Sequence, residues 1–303
     1  MYGTATKNGL GVGLMYSYPH RFWNLTGTRK EKVVVQSDDS LHLMASVWDA
    51  KSDTILPIDL SVTIEDSDGK VTNTNLWPMI SPNMGFHYGD NVALNGEGNY
   101  RATISAGPLQ TERTGALDGR FTKSQSVTVG FTFDTSETYN LPIRRLGEKA
   151  GTKGTVELMD MKSVPSPRVP PREELPGQSI GEVTSDDVSF LISLVDGDSR
   201  FSKNGQPTLL VSPRTPYNRI MLPRMALTGS VNRKQTTILK RKLRATIDPE
   251  IGCYYRAPVE ELQASDSVVI ETVTPPQLAR HDGYETAFLD MPPAKCTVGS
   301  VAR

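Results

Sequence analysis

The stretches LHLMASVWDA, IDLSVTIEDSDGKV, NYRATISAG and SVTVGFTFD alternate apolar and polar residues and end in Gly, Asp or Asn. A period of two predicts half-buried strands. In the last stretch Val127, Val129, Phe131 and Phe133 share one face while Thr128, Gly130 and Thr132 share the other, as in an antiparallel strand with one wet side. Asp66-Ser67-Asp68-Gly69 reads as a hairpin turn. No segment sustains a 3.6-residue period with caps, so the predicted class is all-β, arranged as two tandem immunoglobulin-like β-sandwich domains. Between Met161 and Gly177 stand Pro165, Pro167, Pro170, Pro171 and Pro176, which remove ladder donors and stiffen the chain into a connector. The expected organisation is a tether and anchor segment over 1–30, a first sandwich over 31–160, a Pro-rich linker over 161–178 and a degenerate sandwich repeat over 179–303.

The halves carry related blocks. Ile80, Pro82, Gly85, Tyr88 and Val92 recur as Ile247, Pro249, Gly252, Tyr255 and Val259, a displacement of 167. Pro108 and Arg113 map to Pro275 and Arg280 at the same displacement, and Leu56-Pro57 maps to Leu222-Pro223 at 166. A shared offset across separated blocks points to tandem duplication.

Composition narrows the function. With 33 Lys plus Arg against 34 Asp plus Glu, the formal charge of -1 supports no nucleic-acid stripe. No apolar run approaches the roughly 18 residues of a membrane-spanning helix. The small, polar, Gly-containing opening residues resemble a tether behind a removed leader, so an extracytoplasmic location is expected, with any export signal outside this sequence. Cys253 and Cys296 either pair with each other or simply pack. Gly9, Gly11 and Gly13 lack the strand-to-helix context of a phosphate loop, and no G-x-S-x-G or His-Glu-x-x-His motif occurs. Enzymatic function is unsupported by any motif; redox turnover at copper is the one catalytic route with a chemical basis.

Metal binding is the chemistry the residues offer. Only four histidines occur: His20, His42, His87 and His281. His42 and Met44 lie two apart on a predicted strand and project from one face. Met79 and His87 flank a Pro- and Gly-punctuated segment that turns the chain back, with Met84 as a further thioether inside it. Thioether with imidazole suits copper, Cu(I) above all, whereas magnesium and calcium call for oxygen donors. The alternative is that these methionines fill a core adaptably. His20, between Pro19 and the aromatic pair Phe22-Trp23, reads as a docked anchor, with ligation or cover of the site as the other reading.

The HLM strand, the later PM followed by HYG.NV, and the strand of NGEGNYRATI resemble the periplasmic copper-containing iron-uptake accessory proteins of the FetP type, over residues 35–134. The whole chain, with PHRFW near its start and ARHDGYETAFLDMPP near its end, also resembles an uncharacterised extracytoplasmic family of halophilic archaea. The FetP-type resemblance implies an immunoglobulin-like fold and a copper or iron ion held by a His in an H.E strand, a Met in PM, a His in HYG and a His after a PP turn. These become His42, Met79, His87 and, in the second half only, His281 after Pro275-Pro276. Met44 stands where that family has Glu, and Thr114 stands where the first half would carry its late His. The full expected set is His42, Met44, Met79, Met84, His87 and His281. Because such proteins resemble homodimers, the resemblance further implies an intramolecular pseudo-dimer in which His281 completes the first site, serving a membrane metal transporter. The competing class is a structural or adhesive surface protein whose sandwiches are spacers.

Overall fold

The computed structural model describes residues 1–143 and 145–299, which form two compact units, both built of β-strands. The all-β class expected from the alternation is the one observed. The first unit comprises Met1–Gln110, Arg120–Pro167 and Leu278–Glu285; the second comprises Thr111–Gly119, Arg168–Gln277 and the residues from Thr286 onward. The units therefore do not follow contiguous halves of the chain. A short stretch numbered in each half belongs to the unit made mainly from the other half.

Strands are numbered in chain order. The first unit holds β1 (Gly3–Lys7), β2 (Leu10–Ser17), β3 (Phe22–Thr26), β4 (Arg29–Val33), β5 (Leu41–Asp49), β6 (Thr54–Ile55), β7 (Leu60–Asp66), β8 (Gly69–Ser81), β9 (Gly85–Val92), β10 (Gly98–Ala106), β12 (Gln125–Phe133) and β20 (Ala279–Arg280). The second holds β11 (Glu112–Arg113), β13 (Gln178–Ser185), β14 (Val188–Val195), β15 (Thr208–Arg214), β16 (Ala226–Arg233), β17 (Thr236–Asp248), β18 (Gly252–Pro258), β19 (Ser267–Thr274) and β21 (Ala294–Thr297). A single-turn helix, α1 (Thr135–Tyr139), follows β12. Among the described residues no helix is long and apolar enough to cross a membrane.

In the first unit the main path of hydrogen-bonded strands runs β1-β2-β5-β9-β8-β20-β3-β4, with β7, β10 and β12 continuing from β8. β12 alternates buried and exposed along Val127–Phe133, as its sequence requires. At the β7–β8 hairpin Asp66 pairs with Gly69, and the Asp66 Oδ1 accepts from the backbone N–H groups of Asp68 and Gly69. β5 is buried on both faces, which segregate chemically. Leu41, Leu43, Ala45 and Val47 point one way with Leu10, Val12 and Leu14 of β2, while His42 and Met44 point the other way beside Ser17 and Met15.

One expectation here needs correction. Residues 1–30 are not a tether: they form β1 to β4, and Leu10, Val12, Leu14 and Phe22 are fully buried. Their glycines, which look like linker composition, answer a packing need, because a Cβ on Gly11 would fall 2.3 Å from the Trp48 indole. The Pro-rich segment is free of strands, with Lys162, Ser163, Ser166 and Arg172–Glu174 exposed. Val164 and Val169 are buried, Arg168 bridges Ile220, and the boundary between the units falls between Pro167 and Arg168. Cys253 and Cys296 are both free thiols.

The two short strands exchanged in numbering pair alike. β20 runs parallel to β8 with Ala279 against Met79 and Arg280 against Ile80. β11 runs parallel to β17 with Glu112 against Thr246 and Arg113 against Ile247. Met79 faces His87 across β8–β9, and Thr246 faces Tyr254 across β17–β18.

Candidate metal centre

The centre lies in the first unit, on the polar face of β5, β9 and β8. The register sets His42 opposite Asn91, Met44 opposite Gly89, and Met79 opposite His87. Since alternate residues share a face, His87, Gly89 and Asn91 form one row beside His42 and Met44. Pairing of β20 with β8 then delivers His281, whose N–H donates to the Ile80 carbonyl at 3.1 Å. The turn between β2 and β3 delivers His20. Met79 is fully buried among Phe22, Ala279 and Val33. His42 and His87 are 0 % and 1 % exposed, so both imidazoles sit in a nearly dry interior.

The hydrogen bonds fix which nitrogen of each ring carries its proton. His87 Nδ1 donates to the Gly85 carbonyl at 2.9 Å, and His20 Nδ1 donates to the Tyr18 carbonyl at 3.0 Å, since a carbonyl can only accept. His42 Nδ1 donates to Asn91 Oδ1 at 2.8 Å, and the Asn91 amide is oriented by donating its own N–H to the His20 carbonyl at 3.0 Å. His20 Nε2 is therefore an acceptor. It takes the proton of His281 Nδ1 at 3.0 Å, which leaves His281 Nε2 as a lone pair. That lone pair faces the Met79 sulfur at 3.1 Å, two electron donors with no proton between them.

His42 Nε2 and His87 Nε2 are likewise lone pairs, buried and without a hydrogen-bond partner. Unpartnered buried polar atoms are costly, on the order of 1–3 kcal/mol each, and call for an explanation. Gly89 supplies space beside them: a Cβ there would lie 2.9 Å from His42 Nε2 and 3.2 Å from the Met79 sulfur. The Nε2 lone pairs of His42, His87 and His281 and the Met79 thioether are thus four uncharged buried donors, with His281 Nε2 and the Met79 sulfur in contact. Each Nδ1–H is tied to an acceptor, the outer-shell arrangement that orients metal-ligating histidines. Burial holds all four imidazoles below the ordinary histidine range, His87 down to about 4, with mutual repulsion among the rings adding to the effect at His42 and His281. They are neutral near pH 7, the form that ligates.

The structure brings together His42, Met79, His87 and His281 of the expected set. Met44 and Met84 fall in a separate neighbouring group with Met15 and Met161. His20, read from sequence as an anchor or a ligand, contacts the site directly: its ring lies 4.1 Å from that of His42, and nitrogens of His20, His42 and His281 lie within 4.8 Å of one another. Its committed Nε2 makes it the group that orients His281. Asn91 and Gly89 were not anticipated; the signal was their alternation with His87 on one strand face.

Residues 37–139 match the Fe2+ transport protein family, and residues 173–297 match a domain of unknown function (DUF7350). The FetP-type resemblance read from the sequence is borne out over the first stretch, which contains His42, Met79 and His87; His281 lies within the second. No curated protein matches this chain. Among solved structures, FetP of uropathogenic Escherichia coli strain F11, described as expressed recombinantly in the periplasm, matches at 20 % identity over 44 % of this chain and 93 % of its own, with a TM-score of 0.33. A copper-bound variant of that protein matches at 20 % identity over 44 % of this chain and 95 % of its own, with a TM-score of 0.32.

Proposed function

We propose that this chain is an extracytoplasmic transition-metal-binding protein that holds copper at His42, Met79, His87 and His281 and acts in metal uptake or handling. The observation that carries the reading is a group of unprotonated, buried donors in the first unit: the Nε2 atoms of His42 and His87, without partners, and the Nε2 of His281 against the Met79 sulfur, each imidazole proton tied to another acceptor. The family matched by residues 37–139 supports metal handling in general. The donor chemistry supports the choice of metal. A set without carboxylate or carbonyl oxygen, buried in low dielectric, favours the soft monocation Cu(I) over Fe(II), which is the alternative cargo. When bound, the ion would supply one-electron redox chemistry in addition to the charge the site lacks. A membrane transporter is the natural partner for such a carrier.

The same reading includes a duplicated β-module acting as an intramolecular pseudo-dimer. It is supported by the displacement of 167 that relates both members of the Ala279–Met79 and Glu112–Thr246 pairs. At the second unit's corresponding positions the donors are hydroxyls. Thr114 Oγ1 donates to Asp248 at 2.7 Å and lies 3.2 Å from the Tyr254 hydroxyl, a satisfied network with nothing to offer a soft cation.

Anaerobic titration with Cu(I) against a competing chelator tests the assignment. Wild-type protein is expected to take one tight equivalent that the His87→Ala variant lacks. Absence of binding above background in the wild type would leave the structural or adhesive reading.

A further inference from the structure

Beside the imidazole centre lies a second concentration of sulfur. Met15 on β2, Met44 on β5 and Met84 in the β8–β9 turn form one buried cluster, and Met161 packs against it from the Pro-rich segment. Four of the ten methionines therefore meet at one place, from four different parts of the chain. The placement is specific. On β2 and β5 the opposite face carries Leu, Val and Ala together with Tyr16 and Asp49, whereas sulfur appears only on the face that also carries His42. Met15 and Met44 are directly opposed across the two strands. Met84 is presented by a turn in which its N–H donates to Ser81 Oγ at 3.0 Å. The stretch leading to Met161 is pinned to that turn, with the Met159 N–H donating to the Asn83 carbonyl at 2.7 Å.

We infer that Met15, Met44, Met84 and Met161 form a thioether-only site for a soft monovalent cation, Cu(I) or Ag(I), distinct from the imidazole centre. Thioethers are neutral and polarizable, so a shell made of them alone discriminates by softness. It cannot offset the desolvation of a divalent ion as carboxylates do. The cluster also reaches the surface, as a point of entry must: Met44 and Met84 keep 8 % and 9 % exposure and Met161 is half-buried, while Met79 of the imidazole centre is sealed at 0 %. Met44 stands opposite Gly89, the residue against which the Met79 sulfur and His42 Nε2 are packed. An ion held by the thioethers is thus one strand position from the deeper donors, which makes the cluster a staging site for them.

The test uses silver nitrate, whose cation is soft and redox-inert, with the full-length protein labelled with carbon-13 at the methionine methyls. Stoichiometry comes from equilibrium dialysis and site identity from the methyl resonances. Wild-type protein is expected to bind two equivalents, one moving the Met79 methyl and the other moving those of Met15, Met44, Met84 and Met161. A His42→Ala/His87→Ala variant should retain the second set of shifts. A Met15→Leu/Met44→Leu/Met84→Leu variant, which nearly conserves side-chain volume, should lose one equivalent and keep the Met79 response. Unmoved methyls at Met15, Met44, Met84 and Met161 under saturating silver would overturn the thioether site. That result leaves the imidazole centre, reported separately by Met79, standing or falling by itself.

Discussion

Gly89 is the residue on which the centre's volume depends. A methyl group there would crowd His42 Nε2, the Leu43 carbonyl at 3.0 Å and the Met79 sulfur together. Gly89→Ala is therefore expected to weaken Cu(I) binding by at least tenfold, about 1.4 kcal/mol, with little change in strand content. Chelator competition beside circular dichroism checks this, and undiminished affinity would show that the ion sits elsewhere. His20 acts one step further out, through the proton it accepts from His281. Removing such an outer partner costs roughly 10- to 100-fold in metal affinity, so His20→Ala should fall in that range while stoichiometry and the ligand-field spectrum of a Co(II) substitute stay unchanged. A changed spectrum would make His20 a ligand. The buried imidazoles also tie the metal-free fold to pH. His87 protonates near 6.5 when unfolded and only at about 4 when folded. Its contribution is complete above the unfolded value and is lost as pH falls toward the folded one, because in that window only the unfolded chain gains the proton. By pH 5 this amounts to about 2 kcal/mol, roughly 4–8 °C in melting temperature. Metal-free wild type should thus lose stability between pH 7.5 and 5 more steeply than His87→Gln; parallel curves would refute the assignment. At this scale the sequence revealed donor types well, because His and Met are few. It concealed the role of His20, since a proton's position depends on partners 71 and 261 residues away.

Elements show where pattern suffices and where it fails. β12 was readable because one of its faces is wet and alternation marks it. β2 was not: both faces are buried, alternation disappears, and the glycines that admit Trp48 imitate a linker. β20 is the extreme case. A strand of two residues has no period to detect, yet it carries Ala279 against Met79 and places His281. Only the motif resemblance and the offset between halves pointed to it. Because β20 is held by a short parallel ladder to β8 and an antiparallel one to β3, the position of His281 depends on both partner strands.

On the scale of the molecule, neither unit is encoded by one continuous segment. The first requires Leu278–Glu285, and the chain re-enters it at Arg120, whose guanidinium pairs at 2.6 Å with the fully buried Asp49. The second requires Thr111–Gly119, fixed by Thr114 on Asp248. A single proteolytic cut engineered into the exposed Gly147–Gly151 stretch should therefore leave the two fragments co-eluting in gel filtration, with copper affinity within about threefold of the intact chain, an estimate that treats the cut as a tolerated loop change. Separate elution as folded fragments would contradict the interleaved composition. Contiguous domain boundaries were the natural expectation, because linker composition marks where a chain crosses between units but not which short stretches cross back. The interleaving also has a timetable. On a translating ribosome, residue 167 emerges about 110 residues before His281, a lag of roughly 5 to 20 seconds at ordinary synthesis rates. During that interval the nascent first unit lacks β20 and the His281 imidazole, so the proposed imidazole centre stays one donor short until residue 281 has emerged.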